Sequence, residues 1–267
     1  MTLRRAYVDV DWGQVHVTSA GASAPGALPV VGLHQTPRSW DELREVLGVL
    51  GRSRLALAPD LPGMGGSDDH PDGASIASYA AGVVDALDAL GIDRFDLVGH
   101  HTGGVVAVEI AASHPGRVRR LVLSSTPWVD AANRAKRVDR PPIDAVEVRP
   151  DGSHLTELWQ RRQRFYPPER PDILVRFVRD ALRATDPEEG HRAVGRYRME
   201  ERIDAVAADV LVVGHDADPY AFGELEPLAA ALGGAPTAVV AGGMVPLELR
   251  AEAFAAIVER FLDGDAG

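Results

Sequence analysis

The chemistry of this 267-residue chain gathers on one short stretch, "LVGHHTGGVVAVEIAA" (Leu97 to Ala112). It reads as the end of a buried strand, a sharp glycine turn and the start of a helix, with His101 at the apex of the turn. Histidine is the side chain whose ordinary titration falls near neutral pH, so an imidazole on such a turn is suited to moving protons. Other routes are closed or narrow. There is no cysteine, which excludes disulfides, thiolate catalysis and cysteine-ligated metals. Lys136 is the only lysine, which leaves little room for Schiff-base chemistry.

These groups need a scaffold, and the hydrophobic pattern supplies one. "YVDVDWGQVHVTSA" alternates around Gly13 and reads as a hairpin. "LPVVGLH", "RLALAPD", "FDLVGH", "RLVLSS", "DVLVVGHD" and "TAVVAGG" are apolar runs that end in polar or small residues. Runs apolar on both faces suit a parallel sheet covered by helices. Helical segments alternate with them. Ser39 is placed to cap "WDELREVLGVL", with Glu42 three residues later completing a capping box. Ser75 precedes "IASYAAGVVDALDALG", which closes on Gly91. Strands alternating with helices define an α/β domain.

The rhythm breaks after Pro127 and resumes near Val210. The intervening segment, about Val129 to Ile203, is polar and proline-bearing at first and then helical. Its aromatics, Trp159, Phe165, Tyr166, Phe177 and Tyr197, are expected both to form a core of its own and to line a pocket against the sheet.

Charge and composition bound the partners. The formal charge of −11 opposes binding to nucleic acid and to anionic membranes. The N-terminus lacks the apolar core of a signal peptide, and no run of about 18 apolar residues is present. A cytoplasmic protein with a small-molecule substrate or ligand is expected, with a homodimer as the assembly entertained. The arginine and alanine usage points to a bacterial source. No nucleotide motif is present, so no cofactor is expected.

The order of elements resembles the α/β-hydrolase fold, a mostly parallel central sheet flanked by helices, with a helical cap inserted after the sixth strand. The resemblance covers nearly the whole chain and rests on "LHQTPRSW", "APDLPGMGGSD", "VGHHTGG", "ASHPGRVRRLVLSS", "VLVVGHDADPY" and "AGGMVPLELRAEAFAAIVERFL". It implies a core made of residues 1–128 and 204–267, with a cap over 129–203. "VGHHTGG" resembles the G-x-S-x-G nucleophile elbow, so the resemblance puts His101 where a nucleophile belongs. It puts Met244 where the general-base histidine belongs, and a thioether takes no proton at neutral pH. Asp218 matches the catalytic acid, with Asp216 as competitor. Two members of the triad are therefore replaced, and the serine mechanism cannot run as written.

The surroundings of that site are retained. Thr102 and Thr36 match the two backbone donors of an oxyanion hole, with His34 beside them and Gln35 in place of a usual glycine. Trp128, at the end of "SSTPW", joins the substrate-binding set. Tyr197 and Glu200 are secondary sources of pocket polarity. Ser124, Ser125 and Thr102 carry hydroxyls without an assigned base. His100 reads as structural, His70 as solvated, and Glu109 as the partner of an arginine. His154 and His191 lie in the cap, within range of the pocket.

His101 admits four readings: an acid/base oriented by Asp218, a nucleophile forming an acyl-imidazole, a metal ligand with His34, His215 or Asp218, and an inert residue in a binding protein. Dispersal over separate loops, with no H-x-x-x-H spacing, weighs against a metal. The expected pocket is largely apolar with a few polar groups. The leading expectation is a non-serine enzyme of lyase, isomerase, cyclase or decarboxylase type, with secondary metabolism as a fitting setting. It would act on a small or medium carbonyl compound. The alternatives are an unconventional ester, amide or C–C hydrolase, and a catalytically silent small-molecule-binding protein.

Overall fold

The computed structural model describes residues 2–138, 140–242 and 245–264. In chain order the elements are β1 (Arg4–Val10), β2 (Gly13–Ala20), β3 (Val30–Leu33), α1 (Arg44–Leu50), β4 (Ala56–Pro59), α2 (Ile76–Ala89), β5 (Phe95–His100), α3 (Thr102–Ser113) and β6 (Val118–Ser124). Then come α4 (Ala131–Ala135), α5 (Ser153–Arg162), α6 (Pro171–Arg183), α7 (Glu189–Arg196), β7 (Asp209–His215), α8 (Leu225–Ala231), β8 (Thr237–Val240), α9 (Pro246–Leu249) and α10 (Ala251–Asp263).

The described strands form one sheet in the order β1-β2-β4-β3-β5-β6-β7-β8. The β1–β2 hairpin is antiparallel and β2 joins β4 antiparallel, whereas the pairings from β4 through β8 are parallel. The continuous apolar runs are the cause. β3, β4 and β5 are buried along their whole length, and such strands need helices on both faces. One face is covered by α2, α3 and α8 through residues such as Val83, Val106 and Leu228. The other is covered by α1 and α10 through Leu47, Phe254 and Val258. This is the α/β-hydrolase architecture. No helix among the described residues is long and apolar enough to cross a membrane.

Ser75 caps α2 in a reciprocal box with Ser78, and Gly91 follows that helix with a φ of +69°. The box expected at Ser39 does not form. Ser39 accepts from the Asp41 N–H at the head of a short 3₁₀ turn, and Glu42 turns away to bind Gln35.

Between β6 and β7 the chain carries α4 to α7. Leu158, Leu174, Phe177 and Ala181 form a small separate core there, with Trp159 and Tyr166 packed against it. Tyr197 joins the main core instead. α6 is tied to the sheet domain by charge: Arg176 donates to Asp41 (2.6 Å) and Glu45 (2.8 Å), and Arg179 to Asp41 (2.9 Å).

Candidate active site

The turn between β5 and α3 is as tight as its glycines imply. A Cβ at Gly99 would collide with the backbone of Gly103 and Gly104, and one at Gly103 with the Leu33 carbonyl. At the apex His101 adopts φ 46°, ψ −113°, a region that side chains with a Cβ rarely occupy. Such a conformation costs on the order of 1–3 kcal/mol and persists only where its surroundings impose it. Here the His101 N–H donates to the Ser124 carbonyl (3.0 Å), while its own carbonyl accepts from Gly104 and Val105. The imidazole is thereby held at the carboxyl ends of the strands, the side of an open α/β sheet where ligands bind.

Nε2 of His101 lies 2.9 Å from Oδ2 of Asp218. Asp218 is buried in the loop after β7, and its Oδ1 accepts from the N–H groups of Tyr220 (2.9 Å) and Ala221 (3.2 Å). Burial alone would raise its pKa. The hydrogen bond and charge of His101, with the Tyr220 N–H, outweigh burial and hold the carboxyl well below the ordinary carboxylate range. Asp216 is engaged elsewhere, accepting from the Gly242 N–H (2.9 Å). Of the two acids weighed from the sequence, Asp218 is the one in contact with His101.

A second buried chain lies beneath this pair. Ser124 Oγ sits 2.9 Å from His100 Nδ1 and 2.9 Å from His215 Nε2. Sequence reasoning assigned Ser124 no base, because nothing in the chain shows that β5, β6 and β7 are neighbours. The register does show it: His100 pairs with Ser124 across β5 and β6. Burial, then the neighbouring His101, pushes the pKa of His215 down to about 4 and that of His100 well below its usual value. Both rings are therefore neutral at pH 7. Ser124 and His215 are fully buried, and His215 Nδ1 has no partner among the described residues.

The remaining expected site residues separate. Thr102 opens α3, so its N–H is one of the first-turn donors that no intrahelical carbonyl takes up. Thr102, Gln35 and His101 all face one cavity. Gln35 is fixed by Glu42, which accepts from its N–H (2.8 Å) and its Nε2 (2.5 Å). Thr36 is buried against Gly190 of α7, outside the cavity lining. His34 is a correction, because both its ring nitrogens are used internally. Nε2 accepts from the Leu61 N–H (3.0 Å), which leaves Nδ1 to donate to the Gln35 carbonyl (2.8 Å).

Tyr197 and Trp128 are corrections too. Both pack against the main core, and neither lines the cavity. The Tyr197 hydroxyl donates to Glu109 (2.7 Å), which also pairs with Arg202 (3.0 Å). Glu200 pairs with Arg134 (2.5 Å), away from the cavity. The His70 side chain is largely buried, its ring 5.0 Å from that of Trp12. His154 accepts from the Arg149 N–H, whereas His191 does reach the cavity. Met244 lies outside the described residues.

The metal set considered from the sequence is not brought together among the described residues, and His34 uses both ring nitrogens on Leu61 and Gln35. Asp144, Glu188 and His191 approach one another in the inserted segment. Their donor atoms are engaged as well. Arg162 and His191 hold Asp144, and Glu188 accepts from the N–H groups of Asp144 and Ala145.

The cavity has a volume of about 660 Å³ and lies between the sheet and the inserted segment. Its core side is formed by Gln35, His101, Thr102, Pro127, Tyr220 and Ala221. The inserted segment contributes Ile143, Phe165, Val194 and His191, together with Arg137, Arg140, Arg161, Arg162 and Arg164. Apolar groups such as Pro127, Ile143 and Val194 are present as expected, but the polar groups are more than a few. Of the five aromatics weighed in the inserted segment, Phe165 lines the cavity, and guanidinium groups make up much of the wall.

Residues 29–205 match the α/β hydrolase fold family, and the chain belongs to that family. It is 38% identical over 112 residues, 41% of its length, to the 2-hydroxy-6-oxo-2,4-heptadienoate hydrolase of Pseudomonas putida. It is 42% identical over 96 residues, 34% of its length, to the 2-hydroxymuconate semialdehyde hydrolase of a Pseudomonas species. These matches span only 40% and 32% of the two relatives. Among solved structures, the enol-lactonase of Burkholderia xenovorans LB400 superposes with a TM-score of 0.75 at 21% identity, covering 97% of this chain and 100% of that one.

Proposed function

We propose that this α/β-hydrolase-fold protein is an enzyme that acts on a carbonyl compound without a serine nucleophile, with His101 as the acid/base. The observation that carries the reading is the 2.9 Å contact between His101 Nε2 and Asp218 Oδ2. An ionised carboxylate against one ring nitrogen fixes the ring and stabilises the imidazolium that forms when the other nitrogen takes a proton. The free nitrogen then serves a substrate C–H or O–H, or a water molecule. The Thr102 N–H is offered to the oxygen that gains negative charge, typically worth a few kcal/mol per donor. Proton transfer from carbon gives a lyase, isomerase or cyclase outcome, and proton delivery to the carbanion left when CO2 departs gives a decarboxylase outcome. Proton transfer from water gives hydrolysis. The named relatives are hydrolases, which favours hydrolysis as the alternative reading. The inserted segment acts as a cap over the cavity.

The test is a panel of esters, lactones and diketones, followed by His101→Asn on any compound that is turned over. Loss of the imidazole is expected to lower kcat by about 10²- to 10⁴-fold with little change in KM. Wild-type turnover in His101→Asn sinks the acid/base role. No turnover of any panel member by the wild type, together with ligand binding in the cavity, favours a silent binding protein.

A further inference from the structure

The chain carries a formal charge of −11, yet the described lining of the cavity beside His101 holds five arginines and no aspartate or glutamate. Two of the five are compensated locally. Arg161 pairs with Glu157 and donates to the Ala145 carbonyl, and Arg162 is held by Asp144. The other three differ. The Arg137 Nε donates to the neutral side chain of Asn133 (2.5 Å), and Arg164 lies over the Phe165 ring at 4.6 Å. Among the described residues, neither these two nor Arg140 has a carboxylate within ion-pairing distance. Elsewhere in the inserted segment most arginines are paired, among them Arg170 with Asp172, Arg176 with Asp41 and Arg198 with Glu201, whereas the exposed Arg183 forms none of the ion pairs among the described residues.

We infer that the cavity takes a ligand bearing an anionic oxygen group, a carboxylate or a phosphate, which docks on Arg137, Arg140 and Arg164 while its other end meets His101 and Thr102. Guanidinium groups are suited to this task, because their forked N–H donors match two oxygens of one anion. A cavity of about 660 Å³ has room for such a molecule end to end. Burial and then the charge of Arg140 pull the pKa of Arg137 down to about 10, so an arriving anion would relieve a repulsion already built into the wall. A cluster of like charges costs stability unless something offsets it, and the acidic composition of the chain gives no reason for the cluster to arise by chance. The carbonyl end of this ligand rests on the proposed function. The anion site does not.

The experiment is calorimetric titration of the full chain at constant ionic strength with adipate, with its uncharged isostere adipamide and with pyrophosphate. At least one of the two anions is expected to bind, and adipamide at least tenfold more weakly than adipate where adipate binds. Arg137→Gln/Arg164→Gln should weaken anion binding at least tenfold. Arg94→Gln, which removes an exposed arginine outside the cavity, should leave binding unchanged. The ratio of pyrophosphate to adipate affinity tells a phosphate-bearing ligand from a carboxylic acid. Anion binding is read without turnover, so failure of the acid/base role would be seen separately from failure of the anion site. Binding of neither anion, equal binding of adipate and adipamide, or undiminished binding by the folded double variant overturns the proposal. An equal weakening by Arg94→Gln also overturns it, since bulk charge would then account for the binding.

Discussion

His101, strained at the elbow, and Asp218, buried after β7, are in direct contact at 2.9 Å. In a serine triad the base stands between the nucleophile and the acid. Here the imidazole stands at the apex of the β5–α3 turn and touches Asp218 directly, so no third group fits between them. Asp218→Asn keeps the shape and removes the charge. It should lower turnover of any substrate found by about 10²- to 10⁴-fold, with KM changed far less. The folded carboxyl titrates below its unfolded value. Its contribution to stability is therefore present above the ordinary carboxylate range and fades as pH falls through the folded pKa. Denaturant melts of the variant should accordingly show a stability deficit at pH 7 that narrows in strong acid. A deficit that stays constant with pH would mean that the contact carries no charge.

Ser124 is the residue most easily mistaken for a nucleophile, since its hydroxyl lies 2.9 Å from two histidines. It is fully buried, and a base whose pKa is pushed down to about 4 has little pull on a hydroxyl proton. A fluorophosphonate probe should therefore leave the protein unlabelled in intact-mass measurements. A stoichiometric adduct on Ser124, or on any other serine, would overturn the non-serine mechanism.

The elbow and the sheet were legible because their causes are local. Apolar runs flanked by helices require a parallel sheet, and a turn that packs Gly99 on Gly103 tolerates no Cβ at either position. The choice between Asp216 and Asp218 was not legible, because it depends on how the loop after β7 folds back, with the Gly242 N–H claiming Asp216. The Ser39 box failed for a similar reason: Glu42 had a better partner in the Gln35 loop. The arginine-lined wall was also hidden. Arg137 and Arg140 follow α4, whereas Arg161, Arg162 and Arg164 lie around the end of α5, and spacing along the chain does not say that these two stretches face one cavity.

Neutral buried histidines make stability depend on pH. His215 has an ordinary pKa of 6.5 when unfolded and about 4 when folded. Below pH 6.5 the unfolded chain therefore binds a proton that the folded chain refuses. Stability should be full above pH 6.5, should fall as pH drops towards 4 and should then level off as far as this group is concerned. The slope is at most about 1.4 kcal/mol per pH unit for one such group. His100 contributes in the same direction. In His215→Asn, urea melts between pH 7 and 4.5 should show a shallower slope, whatever the absolute stability. An unchanged slope would place the acid sensitivity elsewhere.

The inserted segment is anchored at one end by a buried arginine, and this sets how it can move. Arg38 is wholly buried, with Nη1 3.1 Å from Glu248 of α9, Nε 3.2 Å from Asp180 of α6, and Glu42 at 3.5 Å. Burial opposes its charge, but Glu248 and the other two acids outweigh that and raise its pKa. Arg38→Met leaves three buried carboxyls facing one another, a loss of about 3–5 kcal/mol when such a group is broken from one side. The cost should depend on pH. Burial has already pushed Glu248 up to about 7, against the pull of Arg38, so in the variant it takes up a proton readily. Urea melts should therefore find Arg38→Met more destabilised relative to wild type at pH 8 than at pH 6. Hydrogen exchange should locate the change in α6, which becomes less protected. In the wild type α6 should stay protected, while α4 and the stretch through residue 165 exchange faster and slow down when an anion fills the cavity. Equal destabilisation at both pH values, with α6 as protected as before, would mean that Arg38 is not the clamp between the segment and the sheet.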